Sequence, residues 1–185
     1  MAAQDPRPLI GEPLAIDLLN TRWMHEGVRQ DLLESTDGLA VWLAAPTVAT
    51  ELRDHPVRAD AATLNAVRQA RAALTELVDT PETPTGRANL NAVLEHGSVR
   101  LTLTAEGPTQ TVEIDSAAWY PAWAAAENYL RLLADRPERL RPCANPACIL
   151  HFYDVSKNGT RRWCSMTGCG NRAKASRHYA RHRQS

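Results

Sequence analysis

The chain carries a single phenylalanine in 185 residues and no long apolar run. Its longest candidate, residues 39–45, falls far short of the twenty or so residues that cross a bilayer, which excludes a membrane-spanning helix. Residues 1–9 are polar, hold two prolines and lack the apolar centre of a secretory signal. The expectation is therefore a soluble, cytoplasmic protein whose thiols stay reduced. Catalytic signatures are missing as well. There is no Gly-x-Ser-x-Gly elbow, phosphate loop, glycine-rich dinucleotide turn or His-Glu-x-x-His pair, so no enzymatic activity is expected. The Cys-x-x-Cys of redox proteins, internal repeats and low-complexity segments are absent too.

What is present is concentrated near the C-terminus. All four cysteines fall in one window, Cys143-x4-Cys148-x15-Cys164-x4-Cys169. Two close pairs separated by a hairpin-length stretch can converge on one tetrahedral ion, and zinc is its natural occupant. An iron–sulfur centre also takes four thiolates and stands as the alternative. With four thiolates zinc is coordinatively closed, so it is structural and has no position for an activated water.

Net charge is zero, but the two ends differ sharply. Residues 136–185 hold 11 Lys/Arg and 2 Asp/Glu, a charge of +9, whereas residues 1–135 hold 10 and 19, a charge of −9. Such asymmetry predicts two modules with different partners, divided near residues 136–140. The second is too small for an apolar core alone and needs a metal staple.

Within the first module, residues 14–20 are apolar and read as either a buried helix or a strand. Thr36-Asp37 caps a helix through Leu43, Pro46 ends it, and a short helix follows from Thr47. Asp60 is the N-cap of the strongest helix, whose stripe runs Leu64, Val67, Ala70, Leu74, Leu77 and Val78 with Arg71 at its edge. Residues 80–86 read as a loop, 88–96 as a helix stopped by Gly97. Alternation over 99–104 and 111–115 predicts one β-hairpin. A helix opening near Pro121 presents Trp119 and Trp123, which with Trp42 are expected in the core.

In the second module Asn145-Pro146 predicts a turn between the first two thiolates. Residues 149–153 and 160–163 read as strands joined at Asn158-Gly159, and Cys169 opens a helix over 170–183. A helix N-terminus and nearby arginines (Arg141, Arg162, Arg172) offset the negative charge of a tetrathiolate metal.

Cys169-Gly170-Asn171-Arg172 resembles the signature of the CGNR zinc-finger family. The resemblance extends over Arg141-Pro-Cys-Ala-Asn-Pro-Ala-Cys148, Arg161-Arg-Trp-Cys-Ser-Met166 and Arg172-Ala-Lys-Ala175. Upstream, Gly11-Glu-Pro-Leu-Ala-Ile-Asp-Leu-Leu-Asn-Thr21 resembles the ABATE domain that usually precedes this finger. The resemblance implies a zinc-binding, DNA-binding bacterial regulator of the stress-induced kind. The expected architecture is mainly α: a multihelical domain with one β-hairpin over residues 1–138, then a treble-clef-like zinc module over 139–185.

Lys174, Arg177, His178 and Arg181 recur on one helical face, with Arg172 and Arg183 at its ends. Together with Arg161 and Arg162 they form the expected contact surface for DNA. The competing reading is a protein-interaction module, in which the basic helix docks on the acidic domain or on a second copy of the chain. Asp17, Asn20, Thr21, Arg22 and Trp23 group polar atoms beside an apolar stretch. They could line a small-molecule effector pocket, but caps and ties within the fold are the preferred reading. The first domain is expected to serve sensing or homodimerisation.

Overall fold

The computed structural model describes residues 4–175. Its centre is a short helix, α1 (Leu14–Leu19), every residue of which is buried. The apolar run read as either helix or strand is thus a helix, started by the turn at Pro13. It packs against α4 (Ala61–Asp79) and α6 (Tyr120–Asp135), the two long helices of the body. As expected, Asp60 caps α4, its carboxylate accepting from the amide of Thr63 at 2.8 Å. Pro121 occupies the first turn of α6.

Helix α2 (Thr36–Leu43) is capped by Ser35 rather than Thr36 or Asp37, the Ser35 hydroxyl accepting from the amide of Gly38. Pro46 ends α2 and also opens α3 (Pro46–Glu51), since a missing N–H costs nothing in a first turn. The same device starts α5 (Pro84–Leu94) four residues before the expected position. Gly86 therefore lies inside a helix, close against Leu77: an added Cβ would stand 3.2 Å from that side chain.

Two hairpins belong to this body instead of one. The unforeseen hairpin pairs β1 (Arg22–His25) with β2 (Val28–Asp31) through the two-residue turn Glu26–Gly27. Both turn residues have positive φ, 49° and 79°, as the twist-matched hairpin turn requires. The foreseen one pairs β3 (Gly97–Thr104) with β4 (Gly107–Ile114), with a connection of only Ala105 and Glu106. Gly97 is its first paired residue and not a helix stop; a Cβ there would meet the Trp123 indole at 2.8 Å. The alternation in β3 marks one apolar face, yet Leu101 and Leu103 are 73% and 83% exposed. Only Val112 and Ile114, at the base, reach the core. Trp42 and Trp123 are buried, and Trp119 packs at the core's edge with its ring stacked 3.5 Å from His96.

The C-terminal module corrects one expected pairing. β6 (His151–Tyr153) pairs with β5 (Leu140–Pro142), not with residues 160–163. Asn158-Gly159 does turn, with Gly159 at φ 61°, but the chain from 154 to 161 is gathered around a carboxylate. Asp154 accepts from the amides of Ser156 and Arg161, both at 2.9 Å. Arg139 closes the loop from outside through the carbonyls of Asp154 and Ser156. With these partners supplied, a hairpin ladder is not needed. The architecture is mixed α/β: a helical body with two hairpins, and a four-cysteine module with a third.

Candidate metal centre

Each cysteine is placed by local backbone chemistry. Cys143 follows β5, and its amide donates to the carbonyl of Leu150, closing the first loop. Within that loop Asn145 makes the predicted turn, its carboxamide oxygen accepting from Ala147 and its carbonyl from the Cys148 amide. The Ala144 amide donates to the Arg162 carbonyl and so ties the first loop to the segment carrying Cys164. Ser165 accepts from Gly168 and begins a tight turn, Met166–Gly170, that presents Cys169. Residues 171–175 continue as helix.

The result is four sulfurs within 4.8 Å of one another. Cys164 Sγ lies 3.9 Å from Cys148 Sγ and 3.6 Å from Cys169 Sγ. Zinc–thiolate bonds of about 2.3 Å in a tetrahedron put sulfurs roughly 3.8 Å apart, so the spacing matches a single ion. An iron–sulfur cluster would hold its thiolates on the outside of a cage, wider than this. The site is thus a candidate metal centre.

The thiols of the set are not alike: one is held toward the thiolate and two toward the protonated form. The hydrogen bond from Cys164 holds the thiol of Cys148, the least buried of the four, well below the usual range. Reciprocally, that bond and then burial raise Cys164. Burial raises Cys143. Further donors reach the sulfurs: the Cys164 amide to Cys143 at 3.4 Å, Asn145 Nδ2 to Cys169 at 3.3 Å, and Arg172 Nη2 to Cys169 at 3.5 Å. Bonds of this kind stabilise thiolate charge and orient ligands. The bridge between loops is therefore made by Asn145, while Asn171 bonds locally to Thr167.

The packing around the sulfurs holds a surprise. The buried cluster that contains Cys143, Cys164 and Cys169 also contains Leu150, Phe152 and Trp23, the last contributed by the β1 strand of the helical body. Two more links join the regions. Asn20 donates to the carbonyl of His151 at 2.9 Å and accepts from its amide at 3.0 Å, imitating a strand neighbour. Glu12 accepts from the Tyr153 amide and from Arg161 Nη2, both at 2.9 Å. Neither Glu12 nor Asp154 stood out in the sequence, because a lone carboxylate in a lead-in or after a strand has no distinguishing pattern.

The expected effector residues are spent mainly on these structural ties. Asp17 is fully buried; its carboxylate accepts from Arg7 at 2.6 Å, Trp42 Nε1 at 3.0 Å and the Gly11 amide at 3.1 Å. Thr21 accepts from Arg71, which also grips Asp31 through two bonds of 2.6 and 2.7 Å. Arg71, expected at the edge of its stripe, is buried by this grip. Arg22 bonds Asp31 through Nε and alone of the five lines an open cleft.

The expected DNA-contact residues separate into three groups. Arg161 points inward: it stacks 4.3 Å above Phe152 and donates to Glu12 and to the carbonyls of Trp163 and Cys164. Arg162, Arg172 and Lys174 are exposed, Arg162 lying over the Trp163 ring. Arg177, His178, Arg181 and Arg183 lie outside the described residues.

A helical body joined to a compact four-cysteine cluster suited to one metal ion defines the class of protein. Residues 139–182 match the family model of the CGNR zinc finger. Residues 12–136 match that of ABATE, described as "Putative stress-induced transcription regulator", and the chain belongs to this family. No curated protein matches the chain.

Proposed function

We propose that this protein is a transcription regulator that holds one structural zinc ion at Cys143, Cys148, Cys164 and Cys169 and binds duplex DNA through the basic surface beside it. The observation that carries this reading is the junction of a rigid tetrathiolate with exposed cations. Arg162, Arg172 and Lys174 project from the segments that bear Cys164 and Cys169. Such cations on a short-tethered platform suit phosphate contacts, whose strength comes from counterion release. The zinc is closed by four thiolates and the protein is non-catalytic in this reading. The acidic N-terminal region serves sensing or dimerisation.

The test is fluorescence anisotropy of the metal-loaded full chain with duplex DNA across a salt series. Binding that weakens steeply as salt rises is expected. Reversing Arg162 and Lys174 together to Glu should lower affinity about tenfold or more, with metal content unchanged. An absence of duplex binding at low salt overturns the reading and favours a zinc-stabilised protein-interaction module.

A further inference from the structure

Between the two regions lies a cleft of about 250 Å³. One side is formed by the β1–β2 hairpin and the C-terminal half of α4, the other by the metal module's Pro142, Cys148, Ile149 and His151. Its lining carries charged side chains that the fold does not use, Arg29 and Asp79, both of them exposed. Nearby ionic groups are matched inside the fold: Arg71 with Asp31, Glu12 with Arg161, Asp154 with Arg139. The side chains of Arg29 and Asp79, both lining the cleft, make no hydrogen bond or ion pair among the described residues and do not pair with each other; Asp79 lies near enough to His151 to act on its charge. Arg22 engages Asp31 through Nε only, so its terminal nitrogens are free to serve a ligand.

We propose that this cleft is the binding site for a free amino acid, with the carboxylate held by Arg29 and Arg22 and the ammonium by Asp79. The proposal rests on reading the N-terminal domain as the sensing part of a regulator. Two guanidiniums on the hairpin offer the planar, two-bond geometry that carboxylates prefer. Asp79 is the last residue of α4, where unpaired carbonyls add negative potential that favours an ammonium. The hydroxyl of Thr75 donates to the Arg71 carbonyl and keeps its lone pairs for a further donor. Leu19, Pro142 and Ile149 supply apolar wall for a side chain. Burial lowers the basicity of His151 against a smaller opposing pull from Asp79, so this ring adds hydrogen-bonding capacity without a third positive charge.

Placement gives such a ligand a consequence. It would touch the hairpin and α4 on one side and a metal-ligand loop on the other, so it binds only when the two regions are docked as here. Occupancy therefore favours the docked arrangement by mass action.

The experiment is calorimetry of the metal-loaded full chain, without DNA, against each of the twenty common amino acids at millimolar concentration. Their N-acetyl and C-terminal amide forms are the controls. At least one free amino acid should bind saturably, and blocking either end should weaken it about tenfold or more, because the blocked end has lost the charge that the arginines or Asp79 would pair with. Arg29→Ala and Asp79→Asn should each weaken it to a similar degree at unchanged metal content and helicity. Failure of all twenty to bind, equal binding of blocked forms, or undiminished binding by both variants overturns the proposal. Because no DNA is present, that failure leaves the DNA reading standing, and a failure of DNA binding leaves this one standing.

Discussion

The helical body and the cysteine module reach stability by different means. The body buries a broad apolar core on α1, α2, α4, α5 and α6, with Asp17, Arg7 and Trp42 locked within it. The module buries six residues in its cluster, three of which are cysteines and one of which, Trp23, comes from the body. So small a core does not offset the ordering of its own backbone. The body has a broad interior of its own; the module's small interior is completed by its neighbour.

The largest effect should come from the metal ligands. Cys143→Ser or Cys169→Ser, or chelation of the wild type, is expected to abolish metal binding and the order of the 140–175 region, since structural zinc supplies on the order of 10 kcal/mol. Most helical circular dichroism should survive, because α1 to α6 keep their core. Metal analysis with a thermal melt checks both halves. Loss of all helical signal would show that the body has no independent stability.

Trp23→Ala probes the shared interior. Truncating a buried Trp costs about 3–5 kcal/mol, and here the cavity opens against three cysteines. The expected outcome is a weaker metal affinity by chelator competition together with a lowered melting temperature. If only the melting temperature falls, the indole supports the hairpin and not the metal site.

Asp31→Asn sharpens the body's side of the contrast. Burial alone would raise this carboxyl, but hydrogen bonds from Arg71 and Arg22 outweigh it and hold it below the usual carboxylate range. A depressed acid stabilises the fold at pH above its unfolded value, near 4, and that contribution disappears as pH falls through the folded value. The variant should lose about 2–3 kcal/mol at neutral pH, leaving Arg71 buried without its counter-charge. Urea midpoints from pH 7 to pH 3 should converge with those of the wild type at the acid end. A constant gap would assign the loss to packing.

The same contrast explains what could be read from sequence. Four clustered cysteines have one geometric solution, and Asp60 before an apolar stripe has one reading, so both were legible. The β1–β2 hairpin was not: its strands have four residues each, and Glu26–Gly27 lacks the Asn-Gly or Asp-Gly that usually marks its turn. Asn158-Gly159 misled for the opposite reason. Its turn is real, but the pairing it suggested lost to side-chain ties from Asp154 and Arg139. Inter-region contacts such as Asn20 to His151 join positions 131 residues apart, and no periodicity in one chain reports them.

Glu12→Gln makes the smallest and most discriminating change. The carboxylate holds the Tyr153 amide with one oxygen and Arg161 with the other. Arg161 in turn donates to the Cys164 carbonyl at 2.7 Å, the backbone of a residue whose sulfur belongs to the four-cysteine cluster. A carboxamide keeps one acceptor and turns an N–H toward the remaining donor, so one charge-assisted bond is lost, a cost of about 1.5 kcal/mol. That is close to a tenfold change in an equilibrium constant. If the body positions the metal site through this chain of contacts, the cost should be felt as a nearly tenfold weaker metal affinity in chelator competition, with little change in the melting of the metal-free body. If metal affinity holds and the metal-free body melts earlier instead, Glu12 serves its own region, and the metal module leans on its neighbour through other contacts, among them Trp23, Asn20 and the Tyr153–Asp135 bond.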